Sequence, residues 1–207
     1  MMRQAQIYVI TAPSGTGKTS LVGAVLAADP TITVSVSYTT RMPRPSEVNG
    51  QSYHFVSTAQ FKEKIEHGDF AEYAEVYGHW YGTDWQRLAS MRAEGRDVLL
   101  EIDCQGAMYI KKRIPEACLI FIAPPSLTVL RERLEGRNED DESVIKQRLS
   151  QAQAELRQWQ NFDYVVFNDV FDQAKHDLLC IIQAHRHRVE ALRVDQRMAL
   201  DNMLETR

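Results

Sequence analysis

Hydrophobic residues along the chain fall into short runs, separated by turn residues and by stretches with helical spacing. Several runs lack polar/apolar alternation, which is typical of strands buried on both faces of a parallel sheet. The predicted strands are Ile7–Ile10, Val34–Tyr38, Val98–Ile102, Leu119–Ile122 and Tyr164–Phe167. The predicted helices are Thr19–Ala28, Gln105–Arg113, Leu127–Leu134 (with Ser126 as N-cap), Glu142–Trp159 and one from Asp172 onward. This alternation predicts an α/β fold, a parallel sheet flanked by helices.

Residues 39–83 interrupt this rhythm. A turn-rich stretch is followed by strand-like pieces around Tyr53–Val56 and Phe70–Val76, with a short helix, Thr58–His67, between them. The segment Tyr77–Thr83 is aromatic and turn-prone. We therefore expect a small, mostly β insertion at 39–83, carried by a core made of residues 1–38 and 84–207.

The residues after the first predicted strand carry the clearest chemical signal. Residues 12–19 read Ala-Pro-Ser-Gly-Thr-Gly-Lys-Thr, which is typical of a phosphate-binding P-loop between a strand and a helix. Gly15 and Gly17 permit backbone angles that point N–H groups at a phosphate. Lys18 is expected to reach the outer phosphates and the Thr19 hydroxyl to ligate Mg²⁺. The strict pattern has Gly in place of Ala12, and an ordinary Gly-rich turn is the alternative, but the strand–loop–helix context favours the P-loop.

A second candidate phosphate site lies in the insertion. Arg41 and Arg44 flank Met42-Pro43, and proline makes a continued helix unfavourable there, so both arginines are expected on a rigid exposed loop. Guanidinium groups match phosphate oxygens in pairs. Tyr53 and Tyr81 offer hydroxyl donors. A solvated basic loop is the alternative, but a second phosphate cluster beside a P-loop favours a second nucleotide.

Glu72 lies in the apolar context Phe70-Ala71-Glu72-Tyr73. It belongs either to an exposed strand face or to a base-recognition site. A carboxylate accepts hydrogen bonds from both N1–H and the N2 amine of guanine, whereas adenine would leave it unpaired. Buried groups left unpaired are how sites strongly reject near-isosteres.

Composition narrows the function classes. The 207 residues carry a net charge of −4, which argues against non-specific nucleic-acid binding, and the apolar runs are too short to span a bilayer. No basic region followed by an apolar stretch predicts a secretory signal, and three cysteines without a C-x-x-C pair fit a cytoplasmic protein with free thiols. Cys104 is expected to be a packing residue. The histidines, His185 and His187 among them, are expected at the surface without a catalytic role. The basic stretch 185–197 is expected to be an exposed face of the last helix, or alternatively a homo-oligomer contact.

Taken together, the motifs resemble those of the guanylate kinase family of nucleoside monophosphate kinases. They occur in family order at residues 12–19, 35–45 (SVSYTTRMPRP), 78–83 (GHWYGT), 101–106 (EIDCQG), 134–137 (LEGR) and 166–169 (VFND). The resemblance spans nearly the whole chain and implies a P-loop NTPase-type sheet. It also implies a helical lid at about residues 131–148.

The resemblance implies roles for individual residues. Those implied for ATP are Ala12, Pro13, Ser14, Gly15, Thr16, Gly17, Lys18, Thr19, Arg133, Asn168 and Asp169. Those implied for GMP are Arg41, Arg44, Tyr53 and Tyr81 at the phosphate, Ser37, Glu72 and Thr83 at the base, and Asp103 beside the acceptor. Those implied at the transferring phosphoryl group are Lys18, Arg41, Arg137 and Arg148. Mg²⁺ would meet Thr19, with either Glu101 or Asp103 orienting its water shell.

The expected reaction is ATP + GMP ⇌ ADP + GDP, and it needs no general base because the acceptor phosphate is already an anion. Arginines in the segment 131–148 are alternatively a solvated helix face. Two other functions are compatible with the sequence. One is a non-catalytic guanylate-kinase-like module that binds proteins, and the other is a kinase for a different nucleoside monophosphate.

Overall fold

The computed structural model describes residues 5–76, 78–136, 142–192 and 194–205. Strands in chain order are β1 (Ile7–Thr11), β2 (Ile32–Val34), β3 (Tyr38–Thr39), β4 (His54–Phe55), β5 (Phe70–Val76), β6 (His79–Asp84), β7 (Asp97–Glu101), β8 (Cys118–Ala123) and β9 (Tyr164–Phe167). Helices are α1 (Lys18–Ala28), α2 (Thr58–Glu66), α3 (Trp85–Ala93), α4 (Cys104–Arg113), α5 (Leu127–Glu135), α6 (Glu142–Leu156), α7 (Phe171–Arg186) and α8 (Val194–Glu205).

The larger sheet is parallel and has the strand order β2-β7-β1-β8-β9. Its central strand β1 is buried throughout, and its side chains alternate between two cores. Tyr8 and Ile10 pack with α1 and α7, whereas Ile7 and Val9 pack with α3 and α4. Helices therefore cover both faces of an α/β sheet, as predicted.

The smaller sheet is mixed, with the order β4-β3-β6-β5, and α2 packs on it. Phe61 of α2 stacks on Phe70 at 4.5 Å between ring centroids. Ser57 begins α2 with a capping box: its hydroxyl accepts from Gln60 N, and the Gln60 side chain accepts from Ser57 N. This sheet agrees with the predicted small, mostly β excursion.

Two predicted segments are wrong in detail. The predicted strand Val34–Tyr38 is two strands in different sheets, because the chain leaves β7 after Ser35 N bonds to Leu99 O and joins β4 and β6 at Tyr38. The segment Tyr77–Thr83 is not mainly a turn. Within the described residues only Gly78, with φ of +75°, turns the chain, and His79–Asp84 then pairs along β5.

The observed helix ends lie closer to the predicted ones than the ends of these strands do. Ser126 caps α5 as predicted, by accepting from Val129 N. The predicted helix Glu142–Trp159 ends at Leu156 and is followed by a short 3₁₀ turn, Trp159–Asn161. Helix α3 was missed, although Asp84 supplies a normal N-cap that accepts from Arg87 N.

The end of α7 corrects the prediction of one exposed basic helix over residues 185–197. The helix stops at Arg186, and a 3₁₀ turn, Val189–Ala191, precedes α8. His185 is buried, not at the surface, because its ring packs edge-on against Tyr8, 5.5 Å away, and burial lowers its pKa. His187, by contrast, is exposed as expected.

Arg186 closes a buried ionic cluster that joins α7 to the larger sheet. Its guanidinium donates from Nε to Asp97 Oδ2 at 2.8 Å, from Nη1 to Asp29 Oδ2 at 2.6 Å, and from Nη2 to Thr31 Oγ1 at 2.9 Å. Asp97 also accepts from Gln6 N at 2.8 Å, and its side chain is fully buried. Removing Arg186 would take this guanidinium away from two shielded carboxylates, Asp29 and Asp97.

We expect Arg186→Met to lower the free energy of unfolding by about 3–5 kcal/mol, because breaking a buried ion pair strands its partner. Denaturant unfolding followed by circular dichroism measures the change. The control is Arg188→Met, whose side chain is 57% exposed and, within the described residues, pairs with the exposed Glu190; it should cost less than about 1 kcal/mol. Equal unfolding midpoints for the two variants would show that the buried cluster contributes no more to stability than the exposed pair does.

None of the helices in the described ranges combines the length and hydrophobicity that a membrane-spanning helix needs. The three cysteines all lie in described residues and are free thiols. Burial raises the pKa of Cys104 to about 12, so this thiol stays protonated near neutral pH, as expected of a packing residue.

Candidate active site

The loop between β1 and α1 has the shape that its sequence predicts. Gly15 and Gly17 have φ of +86° and +92°, which side-chain-bearing residues rarely adopt. Gly17 precedes α1, whose first turn carries neither an acidic residue nor a side-chain cap, so its N–H groups are left for an anion. Ala12 packs against the core that Tyr8 and Ile10 form with α1 and α7, so the loop accommodates its methyl group.

Lys18 and Thr19 point toward the carboxyl end of β7. Lys18 Nζ donates to Ile102 O at 3.3 Å, and Thr19 Oγ1 donates to Glu101 Oε1 at 2.5 Å. A hydroxyl and a carboxylate side by side beneath a phosphate loop are oxygen ligands of the type that Mg²⁺ prefers. Within the described residues no cluster of three or more His, Cys, Asp or Glu is placed to hold a metal ion by itself.

Two residues that the sequence assigns to ATP binding hold the P-loop through hydrogen bonds to its backbone. Asn168 is buried and donates from Nδ2 to Thr16 O at 2.6 Å. Arg133, on α5, donates to the same oxygen at 3.4 Å and to Asn168 O at 3.1 Å. A Cβ on Gly17 would lie 2.7 Å from Asn168 Nδ2, so the close approach requires glycine there. The loop is thereby tied to the end of β9 and to α5.

Arg41 is half-buried and already bound, whereas Arg44 is exposed as predicted. The Arg41 guanidinium donates to both Glu47 oxygens, at 2.7 and 3.0 Å, and lies 5.5 Å from the Tyr53 ring centroid. The Glu47 bond raises the pKa of Arg41 and lowers that of Glu47. Burial raises the pKa of Tyr53 to about 12, so its hydroxyl remains a donor near neutral pH. The prediction that both arginines are exposed is therefore wrong for Arg41.

Glu72 is buried, which removes the exposed-strand interpretation. Only 3% of the residue is exposed, and Oε1 accepts from Thr83 Oγ1 at 2.6 Å. Burial raises the pKa of Glu72 to about 7, and the nearby charge of Asp103 adds to the shift, while the Thr83 bond opposes it. Asp103 itself begins α4, and its Oδ1 accepts from Gly106 N at 2.8 Å. The two carboxylates thus lie near each other at the junction of the two sheets.

A single cavity of about 540 Å³, a volume typical of ligand pockets, joins the P-loop to the insertion. The predicted site residues that line it are Ala12, Pro13, Ser14, Gly15, Gly17, Lys18, Thr19, Ser37, Arg41, Arg44, Tyr53, Glu72, Tyr81, Asp103 and Arg148. The predicted residues that do not line it are Thr16, Thr83, Arg133, Asn168 and Asp169. Asp169 is exposed and borders a separate cavity beside α7. Arg137 lies outside the described residues.

Comparison with known proteins fits this geometry. The model of the family described as "Guanylate kinase" matches residues 4–185. The chain belongs to the guanylate kinase family. It is 50% identical over 182 residues to a guanylate kinase of Chromobacterium violaceum, covering 88% of this chain and 87% of that protein. It is 46% identical over 205 residues to a guanylate kinase of Hahella chejuensis, covering 99% of each.

The fold of this family member also matches a solved structure. A crystal structure of guanylate kinase from Anaplasma phagocytophilum superposes with a TM-score of 0.82 at 28% sequence identity. The match covers 100% of this chain and 99% of that one. The α/β architecture, a parallel sheet with a small mixed sheet beside it, is therefore that of the guanylate kinase family.

Two acidic residues at the site were missed by sequence reasoning. Glu47 pairs with Arg41, and Glu155 lines the cavity from α6. Burial raises the pKa of Glu155 to about 7, and the charge of Lys18 opposes the shift. A signal for Glu155 was available, because it follows Arg148 by seven residues and so lies on the same helix face. Glu47 had no such signal, since a turn gives no fixed period.

Proposed function

We propose that the chain transfers the γ-phosphoryl group of ATP to GMP, giving ADP and GDP. One observation carries the proposal: a buried carboxylate, Glu72, lines the same cavity as the P-loop lysine, Lys18. The cavity therefore joins a site for a polyphosphate to a site for a base with two adjacent donors. Membership of the guanylate kinase family supports the same reaction.

On the donor side, residues 12–19 would hold the ATP phosphates. The N–H groups of the loop and of the first turn of α1 would face the phosphates, and the dipole of α1 would add to the attraction. Arg133, Asn168 and Asp169 are proposed at the adenine end. For Arg133 and Asn168 the hydrogen bonds to Thr16 O also shape the loop itself.

On the acceptor side, Arg41, Arg44, Tyr53 and Tyr81 would hold the GMP phosphate. All four side chains border the shared cavity. The exposed Arg44 guanidinium would bind phosphate oxygens in pairs, and Arg41 would use donors beyond those that Glu47 and Met42 O occupy. Protonated tyrosine hydroxyls would donate to the remaining oxygens.

The guanine would be read by Glu72, which accepts from N1–H and the N2 amine, with Ser37 at its edge. Thr83 would act through Glu72, since its hydroxyl bonds to the carboxylate. Asp103 would lie beside the acceptor nucleoside. We propose residues 39–83 as the acceptor-binding unit, carried by a core of residues 1–38 and 84–207.

Phosphoryl transfer then depends on positioning and on charge. The acceptor phosphate is already an anion, so the chain supplies no general base. Lys18, Arg41 and Arg148 would neutralise charge on the migrating group and exclude water from it. Arg137 is proposed for the same role from the lid segment, about residues 131–148.

Mg²⁺ is the proposed cofactor. Thr19 would ligate it beside the ATP phosphates, and Glu101, which accepts from the Thr19 hydroxyl, would orient its water shell. Asp103 fits that role less well, because its carboxylate caps α4. Bound Mg²⁺ supplies charge neutralisation and orientation of the phosphates.

Formation of ADP from MgATP with GMP, AMP, CMP and UMP as separate acceptors tests the proposal. We expect turnover with GMP alone. Turnover with another monophosphate would instead support a kinase of different acceptor preference and remove Glu72 as the reader. No turnover with any acceptor, in folded protein, would support a protein-binding module.

We expect the KM for GMP to rise as the pH falls below about 7. Burial raises the pKa of Glu72 to about 7 in the free protein, and only the ionised carboxylate accepts two hydrogen bonds from guanine. Below that pH the fraction of protein with an ionised Glu72 falls, approaching tenfold per pH unit. The phosphate of GMP also titrates in this range, with a pKa near 6. The variant Glu72→Gln, which lacks the titrating carboxylate, measures the contribution of GMP alone and is the reference. Identical profiles of KM against pH for parent and variant would contradict a role for Glu72 ionisation.

We also propose a cytoplasmic location, since free thiols such as those of the three cysteines persist in a reducing compartment. No nucleic-acid or membrane partner is proposed. A homo-oligomer, which the sequence left open, stays a prediction, and sedimentation of the purified chain would measure it.

A further inference from the structure

The strand that carries Glu72 is irregular at that residue. Along β5 and β6, Phe70 pairs with Asp84 but Glu72 pairs with Thr83, so Ala71 is an extra residue, as in a β-bulge. Regular pleating would send Ala71 and Glu72 to opposite faces, yet both are buried. Ala71 packs beside α4 in the core that contains Ile7 and Val9. The bulge lets the next side chain, Glu72, point toward the same helix and line the cavity.

The bulge is held from outside its own sheet. Arg113, in the last turn of α4, donates from Nη1 to Phe70 O at 3.2 Å and to Ala71 O at 3.1 Å. A bulge disrupts the ladder and leaves backbone groups without their usual strand partners. One guanidinium nitrogen therefore binds both carbonyls on the N-terminal side of Glu72, and it links them to a helix of the core.

The opposite end of the same helix meets the carboxylate. A Cβ built on Gly106 would lie 2.6 Å from Glu72 Oε2 and 3.2 Å from Asp103 Oδ1. Glycine at this position thus allows α4 to approach the carboxylate closely. Helix α4 consequently meets the backbone of the bulge at its C-terminal end and the Glu72 side chain at its N-terminal end.

We propose that Arg113 is a positioning residue for acceptor specificity: by holding the bulge at Ala71, it fixes the carboxylate of Glu72 where the acceptor base meets it. The inference rests on the proposed role of Glu72 as guanine reader. Arg113 does not line the shared cavity, and its effect would pass through the backbone of β5. It is expected to influence the acceptor site and not the P-loop.

The test uses Arg113→Met, which keeps most of the stem and removes the donors, and Arg113→Lys, which keeps a charged donor. The matched control is Lys112→Met, an exposed cation one residue earlier on α4. For Arg113→Met we expect the KM for GMP to rise about tenfold, the scale of two lost hydrogen bonds. The preference for GMP over IMP, which lacks the N2 amine, should fall several-fold, with the KM for ATP within about twofold. Arg113→Lys should lie between parent and Met variant, and Lys112→Met should match the parent.

An unchanged KM for GMP and unchanged GMP/IMP ratio in folded Arg113→Met would overturn the proposal. So would an equal rise in the KM values for GMP and ATP, which would indicate general loosening. If Arg113→Met does not fold, Arg113→Lys decides by the same comparison of the two KM values. Failure of the proposed function is separately visible, because the parent would then show no preference for GMP at all.

Discussion

Replacing Lys18 with alanine should reduce kcat by about 10³-fold or more. The lysine supplies a positive charge where negative charge develops on the transferring phosphoryl group, and single preorganised contacts of this kind contribute 10²–10⁵-fold. The fold should persist, because the only protein hydrogen bond described for Lys18 Nζ goes to Ile102 O. Losing it should cost about 1 kcal/mol of unfolding free energy. ADP formation at saturating MgATP and GMP measures the change in kcat.

The control for this experiment is Lys62→Ala, which removes an exposed lysine from α2 and leaves the cavity untouched. It should turn over like the parent. Circular dichroism and the unfolding midpoint establish that each variant is folded, and Lys18→Met, which keeps the aliphatic stem, replaces the alanine variant if that one is not. Undiminished turnover in a folded Lys18 variant would refute the assignment of this P-loop to catalysis.

Glu72→Gln should lower kcat/KM for GMP by about 10²–10³-fold. The glutamine amide has one acceptor oxygen instead of two and brings an N–H₂ group toward the donors of guanine. Hydrogen bonds to a charged group contribute about 1.5–3 kcal/mol each, and two are affected. The KM for ATP should stay near that of the parent, because Glu72 belongs to the smaller sheet and not to the P-loop. Initial rates with GMP, IMP and AMP measure the change.

Glu75→Gln is the matched control, since Glu75 is an exposed carboxylate on the same strand, three residues further along. It should leave acceptor preference unchanged. The isosteric change at Glu72 preserves an acceptor for the Thr83 hydroxyl, so loss of the local hydrogen bond does not explain the result. A Glu72→Gln variant that rejects AMP and accepts GMP as the parent does would show that another group reads the base.

Local sequence carried much of this architecture. The order apolar strand, Gly-rich loop, Lys-Thr predicts the P-loop because all its parts are neighbours in the chain. Strand β9 was predicted with its observed ends, Tyr164 and Phe167. The N-cap at Ser126 was likewise readable, since a serine before a helical pattern satisfies the first N–H groups wherever the helix lies.

Features that depend on contacts between residues distant in the chain could not be predicted from local sequence. The run Val34–Tyr38 looks continuous, but its two ends pair with strands of different sheets, which no local pattern encodes. His185 was expected at the surface because its neighbours are polar. Only the fold shows that Tyr8, 177 positions earlier in the chain, covers it. The bulge at Ala71 and the support from Arg113 are of the same kind, because they depend on a helix more than thirty residues away.

The pairing of Arg41 with Glu47 has a consequence for the entropy of binding. A free arginine loses up to about 2 kcal/mol of rotamer entropy when it is fixed. Here the guanidinium is held in place before any nucleotide arrives, by both oxygens of Glu47 and by the adjacent Tyr53 ring. Most of that cost is therefore incurred during folding rather than during association. An incoming phosphate would meet a guanidinium that is already oriented, so the freedom lost on binding belongs mainly to the nucleotide.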